Sequence, residues 1–322
     1  MEAAKEGATM LTKFQEILLK LFGPMWTRKQ AEADAYADQQ KLNTIQDNPD
    51  MAIEYVNGQM HARQCTVEEL SHRAQQRMLA EAVRQERNIE NVIDIAANEL
   101  SSLDDKTSDI PIDEDWITRL FNVVKDVNSE EMQYIWGKIL AGEIASPGSF
   151  SLRTIDTIRN IGRKEALTFQ KILPIVITNG KTYFITANNE LLNKYDVSYS
   201  EILLLEECGL VNSNFGLRMN PTIGQGDKFI CYNNKLAVLI QGTDKEKVKI
   251  SFDIITLTHV GTELFNILLY TVNGEYVLDL AEEIRKVNRK ENITITVHEV
   301  AKAVGREIYY KPTPVKVFEK ED

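Results

Sequence analysis

Cysteine and histidine are scarce in this 322-residue chain. There are three cysteines, Cys65, Cys208 and Cys231, and four scattered histidines, His61, His72, His259 and His298. An odd number of well-separated thiols argues against a disulfide framework and a four-Cys zinc site, and fits a reducing cytoplasm. No histidine pair has the HExxH type of spacing that a zinc site needs. No run of about 18 apolar residues exists, so no transmembrane helix is expected. Glu2, Lys5 and Glu6 open the chain without the unbroken apolar core of a signal peptide. GxSxG, P-loop and Rossmann glycine patterns are missing as well.

What remains of catalytic or metal-binding pattern reads as scaffold. Gly224-Gln225-Gly226-Asp227 is too short to cradle phosphate and reads as a turn. Asp244-Lys245-Glu246-Lys247 reads as solvated hairpin charge, not as nuclease carboxylates. Asp104, Asp105, Asp109, Asp113, Glu114 and Asp115 lack the spacing of a calcium loop. They read as solvated linker and helix-start charge rather than a cation site. Cys208 lies beside Gly209 on an apolar helix with no paired histidine, which suits a buried thiol better than a nucleophile. The expectation is a non-catalytic protein with no cofactor and no metal.

Charge is abundant and uneven. The net charge is −11, and residues 81–150 alone carry −9, whereas 151–270 carry +1. The first segment repels nucleic acid and the second is neutral towards it.

Helical periodicity dominates the first half. Leu11, Phe14, Leu18, Leu21, Phe22 and Met25 form one apolar face, read as a docking face or, alternatively, as an interfacial membrane helix. Residues 28–42 have strong helix propensity. Thr66-Val67-Glu68-Glu69 is a capping box that opens a long helix without Pro or Gly to Leu100. Such a helix, about 50 Å long, suggests a helical hairpin or a coiled-coil-like contact between two copies. Asp113 and Ser129 are candidate N-caps for two further helices, with faces built on Trp116 and Trp136.

The stretch 130–161 reads as a joint between a helical and a strand-rich half. Trp136 and Leu140 anchor it, Ala141 permits close helix approach, and Pro147-Gly148 fix a turn. The order after it is helix, helix, strand 182–186, a leucine-rich helix capped by Ser198 or Ser200 and ended by Gly209, then short strands. A turn at Leu257-Thr258 starts another helix. A short amphipathic helix follows at 278–287, then a strand at 293–300 with 307–310 as its hairpin partner, with Pro312 and Pro314 leading into a tail.

Gly209, Leu210, Leu257, Thr258, Gly261 and Leu264 together resemble the pattern of winged-helix domains of bacterial regulators, over residues 163–270. Recognition helices of that kind usually carry Arg and Lys. Residues 199–207 carry Glu201, Glu206 and Glu207 and no base, which favours protein contact over DNA reading. A nucleic-acid reading would rest on Arg153, Arg159, Arg163 and Lys164. The block 130–169 is similar to an uncharacterised bacterial family, the domain of unknown function 2806 type. Trp136, Ile139, Leu140 and Ala141 also resemble a helix of the abortive-infection alpha proteins, which implies phage defence by association.

The expected architecture is α+β: a mainly helical N-terminal half, a winged-helix-like domain and a C-terminal β-hairpin. The expected segments are 1–65 (amphipathic helices), 66–161 (acidic bundle), 162–272 (winged-helix-like) and 273–322 (helix and hairpin). The functional expectation is a cytoplasmic bacterial interaction or regulatory protein. It would self-associate through its helical half and bind a protein partner or signal, plausibly in phage defence. A nucleic-acid-binding regulator and a peripheral membrane protein are the alternatives.

Overall fold

The computed structural model describes residues 16–18, 53–56, 59–62, 66–101, 110–214, 216–304 and 307–319. The chain divides into two compact units, Met1–Ile155 and Asp156–Asp322. The expected helix over 28–42 and most of the face from Leu11 to Met25 lie outside the described residues. The 1–65 segment is not purely helical. It contains an antiparallel hairpin of β1 (Ile53–Val56) and β2 (Gln59–Ala62). Asn57-Gly58, between them in the sequence, is the residue pair that two-residue hairpins favour.

Among the described residues, the first unit is built mainly on three long helices, with residues 16–18 also helical. Helix α1 runs Val67–Ser101 and opens with the capping box: the Glu69 amide donates to Thr66 Oγ1 (3.2 Å), and the Thr66 amide donates to Glu69 Oε2 (2.9 Å). Helix α2 (Glu114–Val124) starts at Asp113, whose carboxylate accepts from the Asp115 amide at 2.8 Å. Helix α3 (Glu130–Ala145) starts at Ser129. Ile89, Val92, Ala96 and Leu100 of α1 are buried in this unit, as are Trp116 and Leu120 of α2 and Trp136, Ile139 and Leu140 of α3. Each buried Ile, Val or Leu among them contributes about 1.5–3 kcal/mol by leaving water.

Two details fix how α3 meets α1. A Cβ added to Gly137 would sit 2.4 Å from Ile95 Cγ2, so only glycine allows the approach. Beside it lies a buried amide network that periodicity does not reveal. Asn88 Nδ2 donates to Lys125 O (2.9 Å), and Gln133 Nε2 donates to Asn88 Oδ1 (3.1 Å) and Val127 O (2.8 Å). These bonds satisfy the carbonyls at the end of α2, which would otherwise lack partners.

Helix α4 (Leu152–Arg159) spans the division between units. The second unit continues with α5 (Arg163–Ile172), a 3-10 turn at Leu173–Ile175, β3 (Ile177–Thr178), β4 (Tyr183–Thr186), α6 (Asn189–Lys194) and α7 (Tyr199–Glu207). Then come β5 (Val211–Asn212), β6 (Arg218–Met219), β7 (Thr222–Ile223), β8 (Lys228–Tyr232), β9 (Leu236–Gly242), β10 (Val248–Lys249) and β11 (Phe252–Leu257). Helices α8 (His259–Ile267) and α9 (Gly274–Val287) precede β12 (Ile293–Val304) and β13 (Glu307–Phe318).

The short strands do not form an isolated two-stranded wing. Nine of them make one sheet in the order β13-β12-β9-β8-β3-β4-β11-β5, with β6 also paired to β11, while β7 and β10 pair separately. The 273–322 segment is part of this sheet, since β12 pairs with β9 from Ile293 opposite Gly242 to Glu299 opposite Leu236. Pro312 and Pro314 do not begin a tail; they lie inside β13, on the sheet edge. Proline is tolerated there because an edge strand leaves some amides outside the ladder. With the register shifts between β12 and β13, these prolines blunt the edge against pairing with another chain.

The residues that carried the winged-helix likeness do meet locally. Thr258 caps α8 through the Gly261 amide (3.1 Å), and its hydroxyl donates to Gly209 O (2.6 Å). Gly209 has φ +71°, and a Cβ on Gly261 would lie 2.1 Å from Leu210 O. The glycine steps therefore serve a close crossing of α8 over the turn after α7.

Substituting Gly137→Ala forces a methyl group against Ile95 and should cost about 1–3 kcal/mol. Trp116 and Trp136 are buried in the first unit, and the sequence of the second unit contains no tryptophan. Tryptophan fluorescence during urea unfolding therefore reads that unit, and its midpoint should fall. An unchanged midpoint would contradict the tight α1–α3 crossing.

Candidate functional site

Three places in the fold are candidates, and the sequence had pointed to two of them, the joint and the long helix α1. The first is the joint at the end of α3. Trp136 is fully buried, and Leu140 and Ala141 are buried beside it. Pro147 and Gly148 stand in the following turn, Gly148 at φ +87°. The turn is held by a residue the sequence reading passed over. Glu143 is buried, and its carboxylate accepts from the Gly148 amide (2.6 Å) and the Phe150 amide (3.0 Å). Trp116 Nε1 donates to Phe150 O at 2.8 Å, and the Phe150 ring lies so close to Gly142 that a Cβ there would approach it to 2.7 Å. A carboxylate bound by two backbone amides is a strong, charge-assisted clasp. The joint is a structural anchor: every polar group in the clasp is spent on the chain itself. Trp136 Nε1 is buried without a hydrogen-bond partner, so the indole is there for its volume.

The second place is the N-terminal half of α1. From Thr66 to Arg87 no side chain is buried, whereas burial begins at Asn88. Val67 is 83% exposed and Met78 69% exposed, and Leu70 and Leu79 are exposed as well. At about 100° per residue, Met78 and Val67 lie within about 40° of the direction of the buried Ile89. The stripe that packs in the bundle thus continues onto an uncovered half of the same helix. Residues 66–87 carry four glutamates and four arginines, in a chain with a net charge of −11.

Of the N-terminal apolar face, Leu18 is buried. Leu11, Phe14, Leu21 and Phe22 lie outside the described residues. Arg153 and Arg159 are exposed on α4, and Arg163 and Lys164 are exposed in the first turn of α5. Glu201 of α7 is engaged by Lys171 Nζ at 2.9 Å, and Glu206 accepts from the Ser213 amide at 2.9 Å.

The third place is a cavity of about 630 Å³ in the sheet unit. Its walls come from five separate stretches, which is why periodicity could not reveal it. Val176, Ile177 and Thr178 lead into and form β3, and Tyr183 opens β4. Tyr232, Asn233 and Asn234 form the β8–β9 turn. Phe265 and Asn266 end α8, Leu268–Val272 continue from it, and Ala303 lies on β12. The rings form a connected wall: Tyr183 and Phe265 have centroids 5.0 Å apart, and Phe265 and Tyr270 4.7 Å apart. Among the described residues, none that lines the cavity carries a formal charge. Burial, and next the neighbouring Tyr183, push the Tyr270 phenol up to about 12 and raise that of Tyr232. These phenols therefore stay neutral hydrogen-bonding groups at ordinary pH.

Asn233 holds the turn and lines the cavity at once. Its Oδ1 accepts from the Lys235 and Leu236 amides, each at 2.8 Å. Its Nδ2 is buried and has no hydrogen-bond partner. The pair Asn233-Asn234 announced a turn in the sequence, but nothing there marked one amide as unsatisfied.

Among the described residues, no group of three or more His, Cys, Asp or Glu side chains is placed to hold a metal ion. No helix among them is long and apolar enough to cross a membrane. The Cys208 and Cys231 thiols are both pushed up from their ordinary range by burial, so neither is a ready thiolate.

A family model described as Protein of unknown function (DUF2806) matches residues 72–281, which include the joint, part of the uncovered half of α1 and most of the cavity wall. No curated protein and no solved structure matches the chain.

Tyr270→Phe should remove a phenol that ionises near pH 12 rather than near 10. In a spectrophotometric titration of the folded protein, the absorbance step around pH 10 should keep its amplitude and only the late step should shrink. Loss of amplitude near pH 10 would mean that the Tyr270 ring is solvated and the wall is open.

Proposed function

We propose a function from the premise that this chain belongs to the family of the DUF2806 proteins of unknown function: it is a non-catalytic interaction protein that pairs with a second copy of itself through α1. The observation that carries this reading is the uncovered half of α1. A helix of 35 residues extends about 52 Å, and only its second half is packed in the bundle. Exposed large apolar residues on the same face as a packed stripe favour association.

A second copy fits better than an unrelated partner because the charges are self-complementary. In an antiparallel pair centred near Met78, Glu68 and Glu69 of one copy approach Arg84 and Arg87 of the other, and Arg73 faces Glu81. Met78 then meets Met78 at the centre. Residues 88–150, with a net charge of −9, oppose self-contact, but residues 66–87 are balanced. The paired protein would then present two sheet units to a partner or signal. A role in phage defence follows only by association with the abortive-infection likeness around Trp136.

Light scattering coupled to gel filtration tests the pairing. At micromolar concentration the full chain should have twice its monomer mass, and Met78→Glu should bring it to monomer mass with unchanged far-ultraviolet circular dichroism. A monomeric wild-type chain, or a Met78→Glu variant that stays paired, would overturn the reading.

A further inference from the structure

We propose that one end of the sheet unit binds the sugar-phosphate backbone of nucleic acid, without reading its sequence, through Lys228, Lys245, Lys247, Lys249, Arg289 and Lys290. The inference rests on the sheet unit alone and not on the pairing of α1.

The fold gathers these bases from three separate stretches. The loop 243–251 is tied at both ends to the turn after α9. The Thr243 amide donates to Asn292 O at 3.1 Å, and Asn288 bonds both the amide and the carbonyl of Ser251, each at 3.0 Å. That clamp sets Lys245, Lys247 and Lys249 beside Arg289 and Lys290, which directly follow Asn288. The β7–β8 turn joins them. Gln225 and Gly242 form an isolated β-bridge, and a Cβ on Gly242 would lie 2.8 Å from Gly224 O. Lys228 stands opposite Gln241 at the start of β8. Strands β8, β9 and β12 are neighbours in the sheet, so the three stretches emerge within about 10 Å of one another.

The fold separates charge that the sequence shows as mixed. Residues 151–270 sum to only +1, and Asp244-Lys245-Glu246-Lys247 is balanced in isolation. All six bases are exposed. Elsewhere in this unit a carboxylate holds each of Lys171, Lys194, Arg218, Lys311 and Lys316, whereas among the described residues no ion pair holds any of the six. The acids at the same end are Asp227, Asp244, Glu246 and Glu291. Two of them are committed to the chain: the Asp227 carboxylate accepts from the Gly224 amide at 2.9 Å, and that of Asp244 accepts from Asn292 Nδ2. Unpaired bases gathered on an otherwise acidic chain attract polyanions to that one surface.

A string of phosphates suits this surface better than an acidic protein or a membrane. Among the described residues at this end, Val287 is the one strongly exposed large apolar side chain. Protein interfaces are anchored by buried aromatic and apolar side chains, and membrane surfaces by an apolar face. Contact with a phosphate backbone needs only exposed Lys and Arg, and it carries no sequence preference. Arg153, Arg159, Arg163 and Lys164, to which the sequence pointed, take no part.

Fluorescence anisotropy of labelled DNA duplexes of about 20 base pairs, titrated with the full chain, tests the proposal. At about 50 mM salt the Kd should be about 1–10 µM, and two duplexes of unrelated sequence should bind alike. Raising the salt to about 200 mM should weaken binding roughly a hundredfold, the dependence of about four neutralised phosphates. The triple variant Lys245→Glu, Lys247→Glu and Lys290→Glu should weaken binding about tenfold or more. The matched triple Arg159→Glu, Arg163→Glu and Lys164→Glu changes net charge equally and should stay within about threefold of wild type. Circular dichroism checks that each variant is folded. Unlabelled duplex should displace the probe far better than polyglutamate of equal total charge. The proposal is overturned if no duplex binds below about 100 µM at the lower salt. It is equally overturned if the matched triple loses as much binding as the first, or if polyglutamate competes as well as duplex, which would make the partner an acidic protein.

Discussion

The sheet unit depends on a double tie between the start of α9 and the segment 174–186. The Asn273 amide, just before α9, donates to Pro174 O at 2.8 Å. One turn later, Tyr276 is fully buried, and its phenol oxygen accepts from the Thr186 amide at 2.8 Å. Between those two points run Val176, Ile177, Thr178 and Tyr183, one wall of the cavity. The tie is cooperative with the rest of α9. Asn273 caps that helix through the Glu275 and Tyr276 amides, and at its other end Asn288 bonds both the amide and the carbonyl of Ser251. The buried Arg285 guanidinium is spent on the carbonyls of Asn288 and Ile293. One amphipathic helix thus fixes β3–β4 at its front and the approach to β11 and β12 at its back. The cavity is a consequence of that bracing, held open by groups that do not themselves line it.

The helical unit solves a different problem by similar means. Helices α1 and α3 meet at Gly137, the turn after α3 folds back onto Gly142 through Phe150, and that turn is held by a buried carboxylate on two amides. The amide network of Asn88 and Gln133 satisfies the end of α2 and sets the register of α1 against α3. Polar groups buried in this way specify one arrangement over its neighbours, because a shifted register would leave them unpaired. Before Asn88 the same helix has no such buried network, and it is there that its apolar residues remain uncovered. Rigid packing and an available face therefore occupy the two halves of one helix.

Local chemistry made much of the fold legible. Thr66, Asp113, Ser129 and Ser198 each cap the helix that their spacing to the next acidic or apolar residue suggests. Trp136 and Leu140 are core anchors, as their helical spacing implies, and Gly209 and Gly261 sit where chain crossings require them. Long-range pairing was not legible. Short strands such as β3 and β5 have two residues each, too few for alternation to show which strand they join. Pro312 and Pro314 suggested a tail because proline opposes central strands, but an edge strand tolerates them. The cavity was hidden for a related reason: Tyr183, Asn233, Phe265 and Ala303 come together only through the sheet order and the path after α8. Each of them has an ordinary role in its own element.

The central claim is that the cavity is preformed and braced by α9. Amide hydrogen exchange on the full chain without any ligand tests this most directly. The amides of Thr186 and Asn273, and those of Thr178 and Phe184 in the 174–186 segment, should exchange at rates set by unfolding of the whole sheet unit, with protection as high as that of β9. Exchange of the 174–186 segment near unfolded-chain rates, while β9 stays protected, would contradict the account: the wall would then be a loose flap, and the bracing by Tyr276 would not hold in solution.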